Sequence, residues 1–276
     1  MRKKNKFRLT GIIGNPLKQT MSPLLHNYWI QKNKINSYYI PIEIENLNNI
    51  HIAIKKINFV GMNVTIPYKK EIIGYLDAVE EEAKKLQAVN TIVNKEGKLL
   101  GTNTDIIGFE KGLEKINYWN KNKPAVIIGA GGAAESIVHA LSKNNLKEIY
   151  IINRTEKRAK KIAEKHSKVF CGKWLDYDII NNSGLIINST SLGMTGYQEL
   201  PIKLKNVEKD AIIYDIVYNP LKTGFIKKAL KEELQTITGL DMFIGQALES
   251  FKLWFNKTPK IDGRVLKDLK KAIEKK

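Results

Sequence analysis

The 276-residue chain is predicted to be an α/β protein of two domains, and three observations lead there. Short apolar runs alternate with segments of helical periodicity, the pattern of βαβ units feeding an open parallel sheet. One run, Pro124-Ala-Val-Ile-Ile-Gly129, is apolar almost throughout, as a strand buried on both faces requires. After Gly239-Leu240 only helical patterns are readable, and these helices can close back on the first domain. The length accommodates two domains.

Taken in order, Arg8 to Ile13 reads as a strand ending in a Gly-Asn-Pro turn. Ser22 is expected to cap a helix with Pro23 at its first position and Leu24, Leu25, Tyr28 and Trp29 along one face. Ser37 to Ile42 is strand-like, and Asn46 is placed to cap a helix carrying Leu47, Ile50, Ile54 and Ile57. Gly61 to Thr65 returns to strand and Pro67 stops it. Asp77 to Leu86 reads as a charged helix, and Thr91 to Leu100 as a hairpin turning at Glu96-Gly97. In the middle, Glu148 to Ile152, Leu185 to Asn188 and Ile212 to Asp215 are strands. Helices are expected over 132–142, 155–166, 241–255 and 263–275.

Composition narrows the class. Hydrophobic residues make up 43% and charged residues 27%, a soluble globular balance that excludes disorder. The single cysteine, Cys171, can build neither a disulfide framework nor a zinc site, so no metal is expected. No apolar run approaches the ~20 residues of a membrane span. The basic start reaches Gly14-Asn15-Pro16 before its apolar stretch is long enough for a signal peptide, so a cytoplasmic protein is expected. The net charge is +18, but the lysines are spread along the chain and do not cluster as a nucleic-acid footprint does. Such a field still helps collect small anions.

Gly129-Ala130-Gly131-Gly132-Ala133-Ala134 fits G-x-G-x-x-A at a strand-to-helix junction. The glycines let backbone approach a pyrophosphate, and the helix start offers unpaired N–H groups. At the end of the following strand a carboxylate would hold a ribose 2′-hydroxyl. Here Asn153-Arg154-Thr155 stand instead, with Arg158 one helical turn past Arg154. A guanidinium fork suits a 2′-phosphate, so NADP is expected over NAD.

Polar groups gather where strands of the first domain end: Asn63 to Lys69, then Asn90-Thr91 and Asn103-Thr104-Asp105. Reducing a ketone takes a hydride donor and a proton donor, and a lysine beside a carboxylate can handle the proton. Taken alone, Lys69 is one lysine among many. Thr20-Met21-Ser22 sets two hydroxyls beside a helix start, either as a small anion site or simply as a cap.

Together these segments strongly resemble the shikimate dehydrogenase family. The resemblance rests on Gly14-Asn15-Pro16, Thr20-x-Ser22-Pro23, His26-Asn27, NVTIPYK at 63–69, AVNT at 88–91 and NTD at 103–105. It continues through GAGGA at 129–133, NRT at 153–155, NSTSLGM at 188–194, YDIVYNP at 214–220 and GLDMFIGQA at 239–247. It implies a substrate domain formed by 1–106 and 240–276, with a Rossmann-type NADP-binding domain over 107–239 inserted between. It implies NADPH-dependent reduction of 3-dehydroshikimate to shikimate, with Lys69 and Asp105 catalytic. Thr20 and Ser22 would bind the substrate carboxylate with help from Tyr218. Thr65, Asn90, Asp105 and Gln246 would bind ring hydroxyls. On the cofactor side Gly129, Ala130, Gly131, Gly132 and Ala133 would form the turn, and Asn153, Arg154, Thr155 and Arg158 would take the 2′-phosphate. Thr190, Ser191, Ile216, Gly239 and Met242 would lie towards the nicotinamide. Two departures stand out: Thr20 where the family usually has serine, and Ile106 where it often has glycine. Rival readings are an NAD-using quinate/shikimate dehydrogenase and a basic nucleic-acid-binding protein. A small-molecule enzyme, monomeric or homodimeric, is expected.

Overall fold

The computed structural model describes residues 7–57, 59–144 and 146–275. The first stretch runs β1 (Arg8–Gly14), α1 (Ser22–Lys32), β2 (Ser37–Glu43), α2 (Ile50–Lys56) and β3 (Phe59–Val64). A 3-10 turn (Glu71–Tyr75), β4 (Ala78–Val79), α3 (Glu81–Leu86), β5 (Thr91–Lys95) and β6 (Lys98–Thr102) follow. Next come α4 (Asp105–Leu113), β7 (Ala125–Ile128), α5 (Gly132–Lys143), β8 (Ile149–Ile152), α6 (Glu156–Ala163) and β9 (Val169–Gly172). The chain continues through α7 (Tyr177–Asn181), β10 (Leu185–Asn188), β11 (Ile212–Asp215), α8 (Gly224–Lys231) and β12 (Gln235–Ile237). It closes with α9 (Gly239–Phe255) and α10 (Gly263–Glu274).

Two compact units result. One comprises the described residues up to Thr104 with Ala247–Lys275, the other Asp105–Gln246. Helix α9 therefore gives its first half to the second unit and its last half to the first.

The first unit holds a mixed sheet in the order β2-β1-β3-β5-β6-β4. Strands β1, β2 and β3 are parallel, whereas β5 runs antiparallel to both β3 and β6. The hairpin turns at Glu96 and Gly97, both at positive φ (53° and 87°), as a tight two-residue turn demands. Ile13, Leu47, Ile54, Phe59, Met62 and Ile92 share one buried cluster. Trp254 of α9 donates its indole N–H to the Ile92 carbonyl at 2.9 Å. A Cβ on Gly61 would stand 2.1 Å from that indole nitrogen, so the close approach needs glycine.

Three local expectations are corrected here. Ser22 is the first helical residue of α1, not its cap; Met21 holds that position. Leu25 N–H already donates to the Met21 carbonyl, and the Thr20 hydroxyl accepts from Ser22 N–H at 3.3 Å. Asn46 turns the chain through Asn48 N–H rather than capping α2, which starts after a left-handed Asn49 (φ 60°). The charged segment becomes helical only at Glu81, because Ala78 and Val79 pair with Leu100 and Gly101 at the sheet's edge. Sheet pairing there outweighs helix propensity.

The second unit carries an all-parallel sheet, β12-β11-β10-β7-β8-β9. The winding reverses between β7 and β10, which makes their carboxyl ends a topological switch point. Residues 125–128 and 185–188 are fully buried. Ala134, Ile137, Val138, Ala140 and Leu141 turn the apolar face of α5 inward. Among the described residues no helix is long and apolar enough to cross a membrane.

Candidate active site

Of the expected substrate residues, Thr20, Ser22, Thr65, Lys69 and Asn90 lie in the first unit, on segments that leave one end of its sheet, whereas Asp105, Tyr218 and Gln246 fall in the second. Ile13 pairs with Val64, Asn63 with Thr91, and Thr91 with Thr102, so the segments after β1, β3 and β6 and before β5 emerge side by side. Asn15 N–H donates to the Ile66 carbonyl at 3.0 Å and Thr65 N–H to the Ile13 carbonyl at 2.9 Å. Thr65 packs against Gly14, where a Cβ would stand 2.3 Å from its methyl. Lys69 is half-buried, and its carbonyl accepts from Val89 N–H at 2.8 Å. Thr20 is half-buried and Ser22 buried at the start of α1.

Asn90 does more than the sequence reading assigns to it. It is 3% exposed; its Oδ1 accepts from Thr104 N–H at 2.7 Å and its Nδ2 donates to Thr104 Oγ1 at 3.0 Å. It thereby fixes the residue immediately before Asp105. Asp105 opens α4 and is 6% exposed.

Beneath this end of the sheet lies a buried polar cluster; Asn63 and Thr91 stand in segments that the sequence marks as polar, whereas Tyr39 and Ser250 were not singled out. Asn63 Oδ1 accepts from the Tyr39 hydroxyl at 2.8 Å, and its Nδ2 donates to Thr91 Oγ1 and Ser250 Oγ, each at 3.0 Å. Ser250 also lies 2.9 Å from Thr91 Oγ1. The signal was a polar residue inside an otherwise apolar strand, FVGMNV. Every member sits in a water-poor core, so a lost partner costs its desolvation. Ser250→Ala is expected to lower unfolding stability by ~1–3 kcal/mol, read as a fall in the urea midpoint at unchanged slope.

In the second unit Ile128 pairs with both Ile152 and Asn188, and Asn188 with Asp215. The expected cofactor residues follow directly from these strand ends. Gly129 has φ 116°, and a Cβ there would stand 2.7 Å from both Ser189 Oγ and the Thr190 methyl. Gly131 and Gly132 are exposed, with nothing within 4 Å of where a Cβ would project. A narrow turn with open ground before a helix start suits a dinucleotide pyrophosphate. Ala134, at the third position of the motif, is fully buried, as close helix–strand packing requires.

Past β8, Asn153 is half-buried and its Nδ2 donates to the Thr155 carbonyl at 2.8 Å. Arg154, Thr155 and Arg158 are exposed, and no carboxylate among the described residues pairs with either guanidinium. Two free forks without an acid suit a phosphate. Thr190 and Ile216 are half-buried and Ser191 is exposed. Gly239 lies on the Ile216 backbone, where a Cβ would meet its carbonyl at 2.2 Å. Tyr218 stacks on Phe243 with centroids 4.8 Å apart, Met242 is 7% exposed, and Gln246 Nε2 donates to the Phe243 carbonyl at 3.0 Å.

Known proteins match this arrangement along the chain. Residues 12–92 match the family described as shikimate dehydrogenase substrate binding domain, 112–216 match shikimate / quinate 5-dehydrogenase, and 239–263 match the shikimate 5'-dehydrogenase C-terminal domain. A shikimate dehydrogenase (NADP(+)) of Pelagibacter ubique is 40% identical over 260 residues, covering 92% of this chain and 96% of the relative. The crystal structure of shikimate dehydrogenase from Aquifex aeolicus superposes with a TM-score of 0.87 at 33% identity, over 95% of this chain and 97% of that one. A quinate dehydrogenase from Corynebacterium glutamicum, in complex with NAD, gives 0.89 at 26% identity, over 95% and 98%. With relatives matched over nearly their full length and all three parts of the chain accounted for, this protein belongs to the shikimate dehydrogenase family.

Proposed function

We propose that this protein interconverts 3-dehydroshikimate and shikimate with NADP(H), as a step of aromatic amino acid biosynthesis. The observation that carries the reading is the end of β8: exposed Arg154 and Arg158 stand where an NAD site would present an acid. The glycine turn Gly129–Gly132 with Ala133 holds the pyrophosphate, and Asn153, Arg154, Thr155 and Arg158 take the 2′-phosphate. Thr190, Ser191, Ile216, Gly239 and Met242 line the nicotinamide half. NADPH, when bound there, would supply a hydride for the C3 carbonyl.

The rest of the chemistry falls to the side chains. Thr20 and Ser22, helped by Tyr218, bind the substrate carboxylate. Thr65, Asn90, Asp105 and Gln246 hold ring hydroxyls. Lys69 and Asp105 manage the proton at the C3 oxygen. A lysine and a carboxylate suit this task because one donates while the other stabilises the charge left behind. The same reading makes the protein a cytoplasmic enzyme acting on a small molecule, as monomer or homodimer and without a nucleic-acid partner.

The test is the near-ultraviolet absorbance of reduced nicotinamide with shikimate and NADP, against NAD and against quinate. Shikimate with NADP is expected to give the highest kcat/KM; a higher value for quinate with NAD overturns the assignment. Arg154→Ala is expected to raise KM for NADP about tenfold or more, the loss of one charge-assisted phosphate contact, and to leave KM for NAD nearly unchanged. Equal effects on both cofactors would refute the phosphate role.

A further inference from the structure

We infer that Asp215 is a positioning residue for the nicotinamide half of the cofactor site, acting through the Asn188 amide and the Val217 N–H. The inference rests on the proposed NADP(H) reading. Asp215 ends β11 with no solvent exposure, beside Asn188, which ends β10. Its Oδ1 accepts from Asn188 Nδ2 and from Val217 N–H, each at 3.0 Å, and its Oδ2 accepts from the Thr223 hydroxyl at 2.5 Å.

An ionised carboxylate only accepts hydrogen bonds. It therefore takes the NH2 of Asn188, which also donates to the Leu192 carbonyl at 3.0 Å, and the two acceptors together leave Asn188 Oδ1 facing Thr190. That Oδ1 then receives Thr190 N–H at 3.1 Å and Thr190 Oγ1–H at 2.7 Å, while Thr190 Oγ1 accepts from Leu192 N–H at 3.0 Å. The turn over 190–192 is thus oriented by a buried charge two bonds removed from it. Gly129 packs against Thr190 as well as Ser189, so the same chain of contacts reaches the glycine turn. Through Val217 the carboxylate holds the second turn, at Ile216. Burial pushes the Asp215 carboxyl up to about 6, against the bonds from Thr223, Val217 and Asn188 that hold it down. A group kept buried at that cost, in contact with two site turns, is placed to orient them. The phosphate-binding arginines lie past β8, and no hydrogen bond of this network reaches them.

That separation supplies the test. Binding of NADPH and of adenosine 2′,5′-bisphosphate, the fragment lacking the nicotinamide, is measured by calorimetry for the wild type and Asp215→Asn. The amide keeps the shape but removes the charge: its oxygen stays on the Asn188 and Val217 donors, more weakly held than by a carboxylate, and its NH2 is set against the Thr223 hydroxyl, which can no longer donate there. The expected result is at least a tenfold loss of NADPH affinity with less than a twofold change for the fragment. Equal losses for both ligands, as general loosening would give, overturn the inference, and so does no loss for either. If Asp215→Asn does not fold, Thr223→Val and Thr223→Ser carry the test: valine should show the same split and serine, retaining the hydroxyl, should restore wild-type binding. Failure of serine to restore it overturns the inference. A wild-type protein that binds neither ligand sinks the NADP(H) reading itself, and this inference with it.

Discussion

Lys69→Ala is expected to lower kcat for shikimate oxidation by about a hundred- to ten-thousand-fold, the range for losing a positioned proton-transfer group. KM should change far less, because proton handling is felt in the transition state and not in ground-state binding. The side chain is half-buried and its backbone is anchored by Val89, so truncation removes the ammonium without freeing the segment. Lys69→Arg separates charge from proton transfer: arginine keeps the cation but does not release a proton near neutral pH. Its kcat should stay low while shikimate still binds. A kcat unchanged in Lys69→Ala, with the whole loss in KM, would remove the lysine from the chemistry and leave it a binding residue.

The second large effect is on stability in acid. His26 is fully buried, stacked on Tyr39 at 4.3 Å and flanked by Trp29 and Trp254; neither ring nitrogen has a hydrogen-bond partner among the described residues. Burial lowers its pKa from 6.5 to about 3. The unfolded chain therefore takes up a proton near pH 6.5 that the folded chain refuses until about 3. The stability tied to His26 is complete above pH 6.5 and is lost as pH falls through that interval. The slope approaches ~1.4 kcal/mol per pH unit, so acidifying by one and a half units costs roughly 2 kcal/mol. Urea titrations at pH 7 and pH 5 measure it. His26→Phe, which keeps the ring stack, should remove that part of the slope; His166, lowered by partial burial and by His139, adds a residue of the same sign. Identical slopes in the wild type and His26→Phe would sink the argument.

Much of the architecture was legible because the strands of the second unit are short, apolar and β-branched. AVII, IYII and LIIN admit little else between helical stretches. The elements that were not readable share physical reasons. Helix α4 contains Gly108 and Gly112, which lower helix propensity, yet a Cβ at Gly108 would meet the Met242 carbonyl at 2.6 Å and one at Gly112 the Tyr214 hydroxyl at 2.1 Å. Close packing chose glycine there, and no local pattern announces it. Strands β9 and β12 lie at the sheet's two edges and are too short to show a period. Helix α8 had a legible cap in Thr223, whose hydroxyl accepts from Ile226 N–H, but the glycine after it masked the start. The motif segments stand out in the sequence, whereas the bonds around them do not. Asn63, Ser250 and Asp215 act across distances of up to 187 positions in sequence, beyond any periodicity.

The shared helix α9 has a consequence for how the chain matures. The second unit is one continuous stretch, and its last strand is complete by Ile237. The part of the first unit up to Thr104 is made earlier but waits for Ser250 and Trp254, whose partners Asn63 and Ile92 precede them by well over a hundred positions. During synthesis the older part therefore lacks these two partners until the end of α9 is made. A ribosome stalled between the two halves of α9 carries a nascent chain whose earliest sheet is still unsealed, and protease sensitivity should map there.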